Sequence, residues 1–195
     1  MRKDKGRDSM KIFFDTEFTG LHKDTTLISI GLVSEDGRQF YAELTDYDLE
    51  QCNDWIEKNV LENLITYRDD NFEKANYIPN LHVGDKQDIS KSLKNWFKQF
   101  DFVELISDVS HYDFVLFIDL FGTAFDLPKN VCPVCYDINQ DIARKYNIPQ
   151  QEAFDKSRED ILFQAYKENV INGDKHNALY DAKVIRELYQ ILNNV

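Results

Sequence analysis

The first part of the chain has the hydrophobic pattern of three β-strands. Residues 10–18 form an apolar run that ends among acidic side chains, and residues 27–33 and 39–44 are rich in β-branched and aromatic residues. The short stretch SEDG lies between the last two runs, and such a joint with a late glycine is typical of a β-hairpin. Three successive antiparallel strands are therefore expected.

Between residues 49 and 97 the apolar positions follow the period of a helix. The first helical stripe consists of Leu49, Cys52, Ile56, Val60 and Leu64, widened by Trp55 and Leu61. The second stripe consists of Ile89, Leu93, Trp96 and Phe97. Residues 72–85, between the two stripes, contain proline and glycine without periodicity and are expected to form a loop.

The second half of the chain alternates apolar runs with helical patterns. Strands are expected at residues 101–107 and 131–138, separated by an apolar helix that ends at Gly122. The predicted helices that follow span residues 139–147, about 159–169 and 177–194, of which the last is clearly amphipathic. Alternating strands and helices after an antiparallel start predict one α/β domain with a mixed sheet over residues 10–195.

Composition and charge narrow the class of protein. The 195 residues are 43% hydrophobic and 13% aromatic, which is enough to bury a substantial core. A net charge of −12 argues against tight binding to duplex nucleic acid through a broad basic surface. An acidic protein still accepts phosphates as substrate where divalent cations lie between the two sets of negative charge.

The sequence pattern at residues 1–9 and the small number of cysteines favour a cytoplasmic location. Residues 1–9 are charged and lack the apolar stretch of a signal peptide, so they are expected to form a flexible leader. No apolar run has the length of a membrane span. The three cysteines are too few for a disulfide framework, and the pair in CPVC lacks the further ligands that a zinc site requires.

Two carboxylates, Asp15 and Glu17, end the first apolar run in the sequence DTEFTG. Residues two apart on a strand point to the same face, so these carboxylates are expected side by side. Like charges at that distance repel, and an oxygen-loving divalent metal such as Mg²⁺ or Mn²⁺ removes the conflict. The alternative is that one carboxylate lies at an exposed strand end and caps a turn.

A histidine and an aspartate open the last predicted helix. Asn177 is a favourable N-cap, which places His176 on the preceding loop and Asp181 in the first turns. Asp181 shares a helix face with apolar residues such as Val184, where a carboxylate requires a partner or a metal. This arrangement suits a fixed metal ligand and a mobile general base. A surface histidine beside an aspartate that interacts with the helix dipole is the alternative.

Asp113 lies near the start of the very apolar central helix, where a carboxylate again requires a reason. Three other polar residues compete with it for a functional role: Asp108, His111 and Asp119. Asp119 is expected to face solvent, whereas Asp108 lies at the end of a predicted strand and stays a candidate.

Together, these segments resemble the DEDDh 3′→5′ exonucleases, a group that includes the proofreading ε subunit, oligoribonuclease and RNase T. DTEFTG matches the first family motif, and HNALYDA, which begins at His176, matches H-x-A-x-x-D-A. The middle motif agrees at Tyr112 and Asp113 but departs at Val109, where many members carry asparagine. The segment from His111 to Pro128 is similar to one small bacterial exoribonuclease-like branch first recognised in mycobacteria.

The resemblance implies an RNase H-like fold, with a five-stranded mixed sheet whose first three strands are antiparallel, flanked by helices. It implies that Asp113 and Asp181 join the first two carboxylates in holding two divalent ions, Mg²⁺ or Mn²⁺, and that His176 deprotonates the attacking water. The product would be a nucleoside 5′-monophosphate released from a single-stranded 3′ end. The resemblance further implies that the terminal bases contact Phe18, Thr19, Gly20 and Leu21.

Several alternatives stay open at this point. Phe18 also fits plain core packing. RNA is favoured as substrate by the branch resemblance alone, so a DNA exonuclease of the same chemistry is the nearest alternative. A non-catalytic RNase H-like module that binds nucleic acid or protein is the third. Relatives often dimerise, which leaves a homodimer open.

Overall fold

One mixed sheet of six strands runs through the computed structural model, which describes residues 9–67 and 78–193. The strands are β1 (Ser9–Phe18), β2 (Leu27–Ser34), β3 (Gln39–Leu44), β4 (Leu81–Gly84), β5 (Phe102–Ser107) and β6 (Val131–Asp137). Their spatial order is β4-β3-β2-β1-β5-β6. β1, β2 and β3 pair antiparallel in succession, as predicted, and the other three strands join by parallel pairing.

Seven α-helices lie around this sheet in the described part of the chain. They are α1 (Asp54–Asn59), α2 (Lys86–Phe97), α3 (Ser110–Asp119), α4 (Asn139–Tyr146), α5 (Gln150–Asp155), α6 (Arg158–Tyr166) and α7 (Ala178–Asn193). The predicted stripes of α2 and α7 are buried, which confirms both amphipathic patterns. None of the described helices is long and apolar enough to cross a membrane.

The strict alternation of β1 divides the core between two sets of helices. Ile12 and Phe14 pack in one cluster with α2 and α3. Phe13, which points to the opposite face, packs with α4 to α7. The two faces of one strand therefore support both the helix that carries Asp113 and the helix that carries Asp181.

The prediction of five strands was wrong, because β4 lies inside the stretch expected to be a loop. β4 has only four residues and is an edge strand that pairs in parallel with β3 from Tyr41 to Leu44. The strand is held by its backbone pairing, and His82 stacks on Phe40 with 4.8 Å between ring centroids. Such a short strand has no room for a periodic pattern. Residues 72–77 of the predicted loop lie outside the described residues.

The first helical stripe is broken into three short pieces. 3₁₀ turns at Leu49–Gln51 and Leu61–Asn63 flank α1. The break before α1 has a clear cause, since Asn53 Oδ1 accepts hydrogen bonds from the backbone N–H groups of Trp55 and Ile56 and starts a new helix.

Three boundaries also differ from the predictions. β1 begins at Ser9, a residue assigned to the leader, and residues 1–8 lie outside the described residues. α5 was not predicted, because it has only six residues. α6 ends at Tyr166 rather than near residue 169, because Lys167 adopts a left-handed backbone conformation with φ +64°.

Candidate active site

The parallel pairing of β1 and β5 brings Asp15, Glu17 and Asp113 to one edge of the sheet. Asp113 lies in the first turn of α3 and is 5% exposed. Its two oxygens accept hydrogen bonds from Thr16 Oγ1 at 2.5 Å and from Ser107 Oγ at 2.6 Å. Hydroxyl groups at the ends of two neighbouring strands thus fix this carboxylate against the edge.

A close contact between β2 and α7 positions the other side of the site. Gly31 pairs with Asp15 on one side and with Tyr41 on the other. A Cβ atom at Gly31 would lie 2.3 Å from Ala178 O and from Leu179 N, so the start of α7 rests directly on the β2 backbone. This contact requires glycine, and it places the first turns of α7 beside the carboxylates of β1.

His176 and Asp181 are held together by the backbone. The backbone N–H of His176 donates to Asp181 Oδ2 at 2.9 Å, and Asn177 caps α7 through the N–H groups of Leu179 and Tyr180. Both the predicted cap and the loop position of His176 are confirmed. Potential ligand atoms of Glu17, His176 and Asp181 lie within 4.8 Å of one another, which among the described residues is the one group of this kind.

The electrostatics of the site favour a cation. Burial, together with repulsion from neighbouring carboxylates, raises the pKa of Asp15 and of Glu17 well above their usual values. Burial also raises the pKa values of Asp113 and Asp181 to about 7, although hydrogen bonds to each carboxylate act in the opposite direction. Four poorly solvated, mutually repelling oxygen ligands are a donor set that fits a divalent metal.

The ring of His176 is half-buried beside the carboxylates. It meets the indole of Trp55 edge to face, with 5.0 Å between ring centroids. Burial, assisted by the nearby charge of Lys175, lowers the pKa of His176 below its usual value. The imidazole is therefore neutral at pH 7 and able to accept a proton.

Three of the four predicted substrate-contacting residues line the same cavity. Phe18, Gly20 and Leu21 face an open cavity of about 790 Å³ that also contains the carboxylates. The ring of Phe18 stacks on Tyr112 with centroids 5.3 Å apart, and the side chain of Leu21 is 79% exposed. An exposed apolar side chain beside a stacked aromatic pair is suited to contact with nucleobases.

Thr19 does not line this cavity. Its side chain is 1% exposed, and its hydroxyl donates to Gln51 Oε1 at 2.6 Å while accepting from the N–H of Thr26 at 2.9 Å. The structure thus gives Thr19 the task of fixing the loop that presents Gly20 and Leu21.

Asp108 lines the cavity, but another partner engages its carboxylate. Arg158 donates to both of its oxygens, from Nε at 2.7 Å and from Nη2 at 2.8 Å, and Asn139 Nδ2 adds a third hydrogen bond at 2.7 Å. Arg158 also donates to the backbone carbonyls of Ala153 and Phe154. The ion pair therefore ties the α5–α6 connection to the sheet edge. Asp119 faces solvent as expected and pairs with a surface lysine.

The sequence did not predict that Trp55 and Arg158 lie at the site. Trp55 is 52% exposed although it is a large aromatic residue on a helix, and its position beside the apolar stripe was a usable signal. Arg158 gave no such signal, because Asp108 is distant in the chain and only the fold brings the two residues together.

The middle motif departs from the family pattern at a strained position. Val109, which precedes α3, has φ +57° and ψ +54°, a left-handed conformation that is rare for β-branched residues. We expect Val109→Asn to raise the free energy of unfolding by about 1 kcal/mol, because asparagine tolerates this conformation. Chemical denaturation measures the change. Val115→Asn, at an exposed regular position of α3, is the control, and an equal effect of both substitutions would contradict the assignment of strain.

The chain is similar in sequence to known exoribonucleases. The family model described as the 3′-5′ exoribonuclease Rv2179c-like domain matches residues 10–192. The chain belongs to this family. Two curated proteins of Mycobacterium tuberculosis are similar to it: the 3′-5′ exoribonucleases Rv2179c, of strain H37Rv, and MT2234.1, of strain CDC 1551. Each is 33% identical over 122 residues, which cover 63% of this chain and 67% of the relative. The predicted 3′→5′ exonuclease class is confirmed.

Solved structures show the same fold. The nuclease domain of 3′hExo, a DEDDh family member bound to rAMP, has a TM-score of 0.65 at 14% identity, covering 98% of this chain and 94% of that one. A 3′-exonuclease that recognises the 3′ end of histone mRNA stem-loop has a TM-score of 0.65 at 12% identity. That match covers 95% of this chain and 64% of the other. The RNase H-like fold is confirmed, with six strands here.

Proposed function

We propose that this protein is a metal-dependent 3′→5′ exoribonuclease that releases nucleoside 5′-monophosphates from single-stranded 3′ ends. The observation that carries the proposal is the convergence of four carboxylates and one histidine, from distant parts of the chain, at one edge of the sheet. The family match supports the direction of hydrolysis and the choice of RNA.

The four carboxylates would hold two divalent ions, Mg²⁺ or Mn²⁺. Such ions stabilise the charge that develops on the phosphate and on the leaving 3′ oxygen. The residues that would bind them are Asp15, Glu17, Asp113 and Asp181. Two divalent charges would balance the four negative charges, whose burial, together with repulsion from neighbouring carboxylates, raises their pKa values.

His176 would accept the proton of the attacking water. Its backbone is fixed to Asp181, whereas its ring lies against Trp55 on the cavity side and is neutral at pH 7. We expect His176→Ala to lower kcat by about 10²–10⁴-fold, the usual contribution of a general base. Binding of Mn²⁺, followed by titration calorimetry, should change little. His111→Ala, at an exposed residue in the first turn of α3, is the control. Equal loss of Mn²⁺ binding and rate would make His176 a ligand instead.

Phe18 and Leu21 would contact the terminal bases. We expect Phe18→Ala to raise the KM for RNA by about 10-fold, because the stacking of one base is worth about 1–3 kcal/mol. Steady-state kinetics measure this change, and the melting temperature separates it from plain core packing. Phe163→Ala, at a half-exposed residue of α6, is the control. A large fall in melting temperature without a rise in KM would assign Phe18 to the core.

One experiment tests the function as a whole. The protein and Asp181→Ala are incubated with 5′-labelled single-stranded RNA and DNA of equal length, in Mg²⁺, in Mn²⁺ and in chelator. A metal-dependent RNA ladder that shortens from the 3′ end and is lost in the variant is expected. Cleavage of DNA alone would assign the activity to DNA, and no cleavage of either polymer would overturn the proposal in favour of a binding module.

Three further expectations stay predictions. Sparse free cysteines favour a cytoplasmic location. The family resemblance leaves a homodimer open, and the sequence pattern predicts a single domain over residues 10–195.

A further inference from the structure

A groove of about 760 Å³, separate from the site, runs along the solvent side of α2. Lys91, Lys94 and Lys98 line one wall, and the residues that follow α3, from Leu120 to Gly122, line the other. We call it the lysine groove. The three lysines are spaced by three and four residues, so they project from one side of the helix.

The lysine groove is a local exception in a chain of net charge −12. Over residues 9–67 and 78–193, no carboxylate lies within 4.0 Å of its three ammonium groups, whereas Lys86 at one end pairs with Asp119 at 2.6 Å. Attraction to the helix C-terminus explains a lysine in the last turn of α2, but Lys91 lies six residues before its end. The uncompensated charge therefore favours a polyanion as the occupant.

An exposed aromatic ring follows the groove. Phe125 is 100% exposed, three residues beyond Gly122. It lies on a 3₁₀ turn fixed by a reciprocal cap between Thr123 and Asp126. The combination of lysines with an accessible aromatic ring is the one that surfaces for single-stranded nucleic acid use, since cations contact phosphates and rings stack on bases.

The groove is within reach of a substrate held at the candidate site. Asp113 is near the start of α3, and Leu120, on the groove wall, follows it by seven residues, about 10 Å along the helix. A strand whose 3′ end lies at Asp113 would cover this distance with a few nucleotides. A dinucleotide at the site would not occupy the groove.

We propose that the lysine groove binds the phosphodiester backbone of the RNA substrate several nucleotides upstream of its 3′ end. This inference rests on the proposed function, because it assigns a second contact to the same substrate. The groove makes the affinity of the enzyme dependent on substrate length and on salt.

The test compares a dinucleotide with a 12-nucleotide RNA. In Lys91→Gln/Lys98→Gln, which leaves Lys94 over the ring of Phe121, we expect the KM of the longer RNA to rise about 10-fold. The slope of log affinity against log salt should fall by about 1.4, which is 0.7 for each lost phosphate contact. Turnover of the dinucleotide should change less than about twofold, since the groove lies beyond its reach. Lys145→Gln/Lys167→Gln removes the same charge from two exposed residues elsewhere. This control should change neither the KM of the longer RNA nor the turnover of the dinucleotide.

Each other result overturns the inference. Equal effects on both RNAs would place the lysines in the site or in the stability of the fold, and no effect on either RNA would leave the groove without a role. Anisotropy of the 12-nucleotide RNA in chelator measures groove binding without catalysis. The groove is therefore tested even if the protein cleaves neither RNA, a result that would overturn the proposed function. Concentration-dependent self-association that Phe125→Ser abolishes, with RNA affinity unchanged, would assign this surface to a second copy of the chain.

Discussion

Asp15→Asn is expected to abolish hydrolysis and yet to stabilise the protein in the absence of metal. Asp15 lies among the other carboxylates, and burial followed by their charges raises its pKa. The amide removes one negative charge from this group and also one ligand. We expect kcat to fall by about 10³-fold or more, because electrostatic stabilisation of the reacting phosphate depends on the complete set. The melting temperature in chelator should rise, whereas the stabilisation produced by Mn²⁺ should shrink.

Burial of the carboxylates also predicts how the stability of the fold depends on pH. The folded protein, whose pKa values at Asp113 and Asp181 are raised to about 7, holds protons that the unfolded chain releases near pH 4. In chelator, the contribution of these two groups to the free energy of unfolding is therefore fully present below pH 4. It is lost as the pH rises through 7. We expect the melting temperature in chelator to be lower at pH 8 than at pH 5 by about 5 °C or more, with Mn²⁺ reducing the difference.

Asp24→Asn is the matched control for both measurements. Asp24 is exposed in the loop after Leu21 and pairs only with the exposed Lys23 among the described residues. This substitution should leave the metal-free melting temperature and its pH dependence unchanged. A metal-free protein that becomes more stable between pH 5 and pH 8 would contradict the assignment of a mutually repelling carboxylate cluster.

Gly31→Ala is expected to damage the fold and the activity together. Its Cβ atom would lie 2.3 Å from two backbone atoms of α7, and backbone cannot move aside as a flexible side chain does. The start of α7 must therefore shift by about 1 Å, and it carries His176 and Asp181 with it. A displacement of that size lowers catalytic rates by about 10²-fold, and overpacking of this kind destabilises by about 1–3 kcal/mol.

Gly37→Ala separates this contact from the general effect of losing a glycine. Gly37 lies in the β2–β3 hairpin with φ +90°, and no heavy atom comes within 4 Å of a Cβ built there. We expect a destabilisation of about 1 kcal/mol from the backbone conformation and unchanged kcat. Denaturation and single-turnover rates on the two variants make the comparison. Similar losses of rate in both would exclude a specific role for the contact between β2 and α7.

The sequence was most informative where a local pattern determines a position. The alternation of β1 places Asp15 and Glu17 on one face, and the N-cap at Asn177 places Asp181 in the first turns of α7. The importance of Gly31 was hidden, because a glycine within LISIGLV gives no sign of which backbone approaches it. The engagement of Asp108 was equally hidden, since its partner Arg158 is brought close only by the fold.

The distribution of the site along the chain has a consequence for biosynthesis. Chains are made from the N-terminus onward, so Asp15, Glu17 and Asp113 are synthesised well before His176 and Asp181. On the proposed roles, a nascent chain that lacks His176 and Asp181 has an incomplete active site. It cannot hydrolyse RNA until α7 has packed against Gly31. A nuclease made on a ribosome, beside the messenger that encodes it, is thereby inactive until the residues of α7 have been synthesised and have folded.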